Sequence, residues 1–226
     1  MVHVDGGSFL IRIPPKQAYV IDEEEIITRK QTVSSFHMGR YQVTQEEWEA
    51  VLGSNPSKYI GTRRPVESVS WNNCMEFLNR LNDMTGMCFR LPTEVEWEFA
   101  ARGGNKSKGF IYSGGNNIDE LAWYRKNTFK KGERDSDFGT HPVGQKQPNE
   151  LGLYDMTGNV WEWCGNCYDS EGTSRLLDSD GNPRRCYYAY RGGGWKSQAG
   201  YCRVSRRLIS PPTNMGESFA SPLPFR

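Results

Sequence analysis

Apolar positions recur at two periods along this chain, and each period marks out a different kind of element. Thr44-Gln-Glu-Glu47 reads as a capping box opening a helix that carries Trp48, Val51 and Leu52 and stops at Gly53. Ser70 caps a second helix, in which Trp71, Cys74, Phe77, Leu78 and Leu81 fall at three- and four-residue spacings and form one apolar stripe ending near Gly86. Pro92-Thr93 with Glu96 three residues after the threonine predicts a third helix, with Trp97, Ala100 and Ala101 turned inward and Arg102-Gly103-Gly104 as its stop. Its carboxylates Glu94, Glu96 and Glu98 stand two apart and are read as unable to share one face. They are assigned to the N-terminal dipole and to buried hydrogen bonds rather than to catalysis.

The period of two appears elsewhere. Gly6-Gly7 reads as a turn leading into a strand through Ile13, and Gln31 to Met38 reads as another. The densest stretch, Leu151-Gly-Leu-Tyr-Asp-Met-Thr-Gly-Asn-Val-Trp-Glu-Trp163, predicts a turn feeding a buried strand with Trp161 and Trp163 on one face. Glu162 between them needs either the opposite face or an internal hydrogen-bond partner, because an unpartnered buried carboxylate is too costly. Asn159 is expected to use its amide on backbone groups. Asn105 to Lys146 is polar and glycine-rich, interrupted only by Leu121-Ala-Trp-Tyr124, and long loops of this kind carry function on a rigid scaffold.

Composition narrows the class. With 226 residues, 24 glycines, 12 prolines and 12% aromatic side chains, the chain reads as one loop-rich α+β domain spanning 1–226. A net charge of +1 gives no basic surface for nucleic acid, and no apolar run is long enough for a transmembrane segment. The N-terminal residues lack the apolar core of a signal peptide. Asp22-Glu-Glu-Glu25 reads as a solvated loop rather than a calcium site.

Six cysteines allow up to three disulfides. Cys164-Gly-Asn-Cys167 is the one CxxC, and a zinc ribbon would need a second pair nearby, whereas only the separate Cys186 and Cys202 follow. In an oxidising compartment Cys164, Cys167, Cys186 and Cys202 are the candidates for bridging; Cys74 reads as helix burial.

The run GLYDMTGNVWEW resembles the signature of the formylglycine-generating-enzyme (sulfatase-modifying factor) superfamily. RYQVTQEEW from Arg40, RLPTEVEWEFAARGG from Arg90 and RGGGW from Arg191 follow the same pattern in the same order. The resemblance implies a C-type lectin-like fold of the formylglycine-generating-enzyme type, with few regular elements. It also implies, as one activity, a copper-dependent oxidase acting on a cysteine or thiol substrate through two cysteines after the RGG turn. Here the second is Cys202 and the first is Ser197, and a hydroxyl is a poor ligand for copper(I). The related iron enzymes need clustered histidines, whereas His3, His37 and His141 are scattered in sequence. Structural calcium on loop oxygens is the one metal that this resemblance leaves open. Gln147-Pro148-Asn149 is similar to a lectin sugar-binding triplet, but aligns with the turn before GLYDM.

After Arg191, framework residues (Gly192, Gly193, Trp195, Ala199, Cys202, Arg203, Arg207) alternate with a chemically mixed set. This alternation resembles the variable region of diversity-generating-retroelement proteins of the treponemal type, placed here at about 187–226. It implies a non-catalytic binder whose ligand residues are Tyr190, Lys196, Ser197, Gln198, Tyr201, Arg206, Leu208, Ile209 and Ser210, forming an exposed patch, with tyrosines supplying low-entropy contact area. The implied partner is a protein or glycan on another cell or host surface. The binder is expected as a monomer at the cell surface or outside the cell, as a lipoprotein whose leader lies outside this sequence. The closing Pro222-Leu-Pro224-Phe225-Arg226 is expected to make an irregular last strand.

Overall fold

A computed structural model describes residues 1–13, 27–169, 185–216 and the backbone of 219–220. The acidic run at 22–25 and the closing prolines lie outside these residues. Three short helices follow the predicted signals closely. α1 (Gln45–Leu52) begins at Thr44, whose hydroxyl accepts from Glu47 N while the Glu47 carboxylate accepts from Thr44 N, and it ends at Gly53 with φ 75°. α2 (Trp71–Thr85) has the same reciprocal cap between Ser70 and Asn73 and ends at Gly86 with φ 67°. Left-handed φ values of this kind are cheap for glycine, which has no Cβ to clash. α3 (Glu94–Ala101) is capped by Thr93 and Glu96. α4 (Ile118–Leu121) is one turn inside the long loop.

The strands form three sheets. β1 (Val2–Val4) pairs antiparallel with β4 (Phe36–Met38), and β2 (Gly7–Ile13) pairs antiparallel with β3 (Ile27–Val33). The expected single strand from Gln31 to Met38 is therefore two, broken at Ser34-Ser35, because each half serves a different sheet. β1–β4 pairing also places His3 directly opposite His37, so two of the three scattered histidines meet. The main sheet has the order β7-β6-β5-β8, with β5 (Trp161–Tyr168), β6 (Tyr187–Arg191), β7 (Leu208–Ser210) and β8 (Phe219–Ala220). β5 and β8 run parallel; the other pairs are antiparallel.

β5 divides the core. One apolar cluster gathers Phe36, Met38, Trp97, Phe99, Leu153, Met156 and Cys164. A second gathers Trp48, Cys74, Phe77, Leu78 and Trp163, with the Trp48 and Phe77 rings stacked 4.8 Å apart. Glu162 is fully buried between them, and its oxygens accept from Trp97 Nε1 at 2.6 Å and Gln42 Nε2 at 2.8 Å. Asn159 joins His141 through both ends of its amide, accepting from His141 N and donating to His141 O at 3.0 Å each.

The carboxylates of α3 correct the expectation that they occupy separate faces. Glu94 and Glu98 are one turn apart and converge on Arg191, which is buried and holds both, while Glu96 turns back to Arg90 and the cap. Four residues make one helical turn, so alternate pairs within the run share a face. Arg191 donates in addition to Val204 O at 2.7 Å, and Tyr168 donates to Glu94. This ion network ties α3 to the C-terminal strands through buried side chains.

Candidate functional site

The segment after Arg191 is organised by backbone geometry that only glycine supplies. Gly193 has φ 77°, and a Cβ there would stand 2.5 Å from Cys202 Sγ. The turn it permits lets Trp195 bury completely and brings Ser197 and Cys202 into one short loop. Ser197 is half-buried. Its Oγ accepts from Gly194 N at 2.9 Å and its N–H bonds Gly194 O at 2.8 Å, so the hydroxyl closes the turn. Cys202 is buried among Tyr112, Leu121, Ala122 and Tyr124, and burial pushes its thiol up to about 12, which keeps it protonated at neutral pH. A hydroxyl closing a backbone turn stands where a second thiolate would be needed, and it does not fit copper(I), which takes soft thiolates.

The remaining predicted residues separate into two groups. Gln198 is exposed, and Lys196, Tyr201, Arg206, Leu208 and Tyr190 are half-buried at the surface. Tyr190 meets Trp161 edge-on at 5.0 Å, Trp161 meets Tyr201 at 6.4 Å, and the Arg206 guanidinium lies 4.9 Å over the Tyr201 ring. These contacts make an aromatic ridge in which the half-buried Tyr190 and Tyr201 flank the buried Trp161 and a cation closes the end. Of the predicted residues, Tyr190, Tyr201 and Arg206 belong to it, and Ser210 and Ile209 turn elsewhere. Ser210 is buried and accepts from Asn214 Nδ2 at 2.7 Å, and Ile209 packs on the core beside Ala189, which it faces in the sheet register. Strand alternation sends Ile209 to the face opposite Leu208, so the expected patch could not hold both. Arg203, expected as framework, is instead exposed.

Sequence reasoning missed other members. Trp161 belongs to the ridge as much as to the core, a role its alternation with Trp163 could have suggested. The loop after α4 contributes Arg125, whose N–H bonds Ser197 O at 2.9 Å and whose guanidinium lies 4.7 Å over Phe129. Lys196 lies over the Trp195 ring at 4.7 Å, beside the same Phe129. Nothing local to Arg125 signals that meeting. Asn149, by contrast, is consumed structurally: its amide donates to Ala100 O at 2.8 Å and Ser113 Oγ at 3.0 Å, and its oxygen accepts from Leu151 and Leu153. That leaves no polar atom of Asn149 for a sugar.

The cysteines resolve into one bridge. Cys167 is bonded to Cys186, joining β5 to the start of β6, while Cys164 and Cys202 are free and buried. The CxxC is therefore split between a disulfide and the core, which removes both the zinc option and the wider set of bridges. Among the described residues no helix is long and apolar enough to cross a membrane.

Similarities to known proteins agree with this architecture. The chain is 34% identical over 247 residues to chaperone protein LppX of Paenibacillus barcinonensis, an alignment covering 91% of this chain and 81% of that protein. It is 33% identical over 179 residues to the formylglycine-generating enzyme of Thermomonospora curvata, covering 73% of this chain but 56% of the enzyme. Its fold matches Treponema denticola variable protein 1 with a TM-score of 0.79 and 26% identity, across 99% of this chain and 94% of that one. Residues 1–219 match the sulfatase-modifying factor enzyme 1-like domain, and the chain belongs to that family.

Proposed function

We propose that this protein is a non-catalytic ligand-binding member of its family, with the C-terminal segment from Tyr187 onward as its recognition surface. The observation that carries the reading is the state of the Ser197–Cys202 pair. One member is a hydroxyl that closes a backbone turn, so only Cys202 remains of the two soft donors that an oxidase of this family needs. Glycine-built turns hold the segment rigid beneath the Tyr190–Trp161–Tyr201–Arg206 ridge, which suits recognition by pre-organised aromatic and arginine anchors. Likeness to Treponema denticola variable protein 1 supports the same reading.

Charge indicates the ligand's character. From Tyr187 to Gly216 the sequence has no Asp or Glu, while Lys196, Arg203 and Arg206 stand at the surface and Arg125 joins them from the neighbouring loop. In a chain that is close to neutral overall, this local excess favours an acidic ligand. The name of the Paenibacillus relative, a chaperone protein, favours a protein segment as that ligand. The disulfide between Cys167 and Cys186 favours an oxidising location at or beyond the cell surface.

The test is selection of displayed peptides on the immobilised protein, with a variant carrying Lys196→Ala, Gln198→Ala, Tyr201→Ala and Arg206→Ala as counter-target. Peptides rich in Asp and Glu that bind the parent and lose the variant are expected. Peptides without charge bias, or equal retention on the variant, would remove the face from consideration.

A further inference from the structure

The three histidines offer no facial iron site in sequence, yet the fold brings two of them together where the function above has no use for them. β1 and β4 place His3 directly opposite His37, and both side chains are exposed. His3 Nδ1 lies 3.4 Å from His37 Nε2. The other ring nitrogen of His3, Nε2, lies 3.2 Å from Asp5 Oδ1. An ionised carboxylate only accepts, so with Asp5 accepting from Nε2–H the proton sits on Nε2, and Nδ1 is left with a lone pair beside His37 Nε2.

That spacing is long for an N–H···N hydrogen bond and well matched to chelation. Two metal–nitrogen bonds of about 2.0–2.1 Å at a tetrahedral angle set their nitrogens roughly 3.3–3.4 Å apart. We propose that His3 Nδ1 and His37 Nε2 chelate a divalent transition metal, with zinc as the reference ion and Asp5 as the residue that orients His3. Imidazole is a favoured ligand for zinc, copper and nickel, and a carboxylate behind a ligating histidine fixes its tautomer and raises its basicity. Among the described residues no three His, Cys, Asp or Glu side chains gather into a metal cage, so the protein supplies two ligands and water completes the shell. His141 takes no part, since it is buried against Trp123 with ring centroids 3.7 Å apart.

The site has a structural consequence. β1 delivers Val4, and β4 delivers Phe36 and Met38, to the first core cluster, so a metal bridging the two strands clamps the edge of that core. Because the bridge exists only in the folded chain, zinc raises the melting temperature by mass action.

The experiment titrates zinc chloride into the full chain with Cys88, an exposed thiol that would bind zinc on its own, replaced by serine. Calorimetry, melting temperature and imidazole ¹⁵N shifts are followed together. Expected are about one zinc bound, shifts confined to His3 and His37, and affinity at least tenfold weaker in both His37→Ala and His3→Gln. Asp5→Asn should weaken binding by about 10–100-fold, the cost of losing a carboxylate behind a ligating histidine. Both histidines are exposed, so the variants' unchanged melting temperature without zinc verifies folding. Equal zinc affinity in parent and His37→Ala, or shifts that fall on His141, would overturn the site, and an unaffected Asp5→Asn would overturn the orienting role.

Discussion

At Glu162 the chain keeps a carboxyl inside the protein with two donors and no cation. Burial pushes it up from its ordinary 4.5 to about 7, with Trp97 and Gln42 opposing that shift, and burial likewise raises the neighbouring Asp155 from 3.8 to about 6. Both groups hold protons more tightly folded than unfolded, so the stability they contribute is complete below the unfolded values and is lost as pH rises through about 6 to 7. The melting temperature is therefore expected to fall as pH rises from about 4 to about 7, a window set by the unfolded and folded values of these two groups. Glu162→Gln should flatten much of that slope, at the cost of turning an NH2 group toward one of the two donors, Trp97 Nε1 or Gln42 Nε2, that the carboxylate accepts from. A slope equal to the parent's in this variant would mean that other groups carry the dependence. Arg191 poses the opposite case. Arg191→Ala would strand Glu94 and Glu98 in the core without a cation, and a loss of about 3–5 kcal/mol in denaturant unfolding is expected.

Among elements, β5 is the one whose removal matters most, since it separates the two apolar clusters and pairs on both sides. Trp163 is fully buried and donates to Val69 O at 3.2 Å, so Trp163→Ala should cost about 3–5 kcal/mol through the cavity it leaves. Trp161 faces the ridge as well as the core, and Trp161→Ala should cost less stability than Trp163→Ala while also weakening ligand binding. Equal stability losses would place Trp161 wholly in the core. The Cys167–Cys186 bridge closes a 19-residue separation between β5 and β6, and reducing it should lower stability by about 3 kcal/mol, as loop-closure entropy returns to the unfolded chain. Urea midpoints with and without reductant measure this directly.

For the molecule as a whole, the expected behaviour is binding without turnover. Oxygen uptake with a sulfatase-motif peptide and copper should stay at the background rate, because Ser197 and Cys202 supply no thiolate pair. Copper-dependent turnover would replace the binding reading with the oxidase one. The quadruple variant at Lys196, Gln198, Tyr201 and Arg206 should leave stability within about 1 kcal/mol while abolishing peptide capture, since half-exposed side chains away from caps and cores cost little. Ile209 is excluded from that set because it packs on the core, and replacing it would confuse binding with folding.

Elements whose signals are local were legible from the sequence alone. The three caps, the glycine stops of α1 and α2 and the alternation of Trp161 and Trp163 each depend on residues within one or two turns, where backbone sterics and short hydrogen bonds decide the outcome. Placement of Ser197 and Cys202 after the RGG turn was equally legible, and with it the missing thiolate. What the tertiary structure decided was every meeting across long separations: Cys167 with Cys186, Glu94 and Glu98 with Arg191, Arg125 with Ser197, and His3 with His37. It also decided that Ile209 and Ser210 turn away from the surface that Tyr201 and Arg206 share. Such pairings are set by strand register and by which loops close over which faces. Those depend on the whole core packing at once, so no local spacing encodes them.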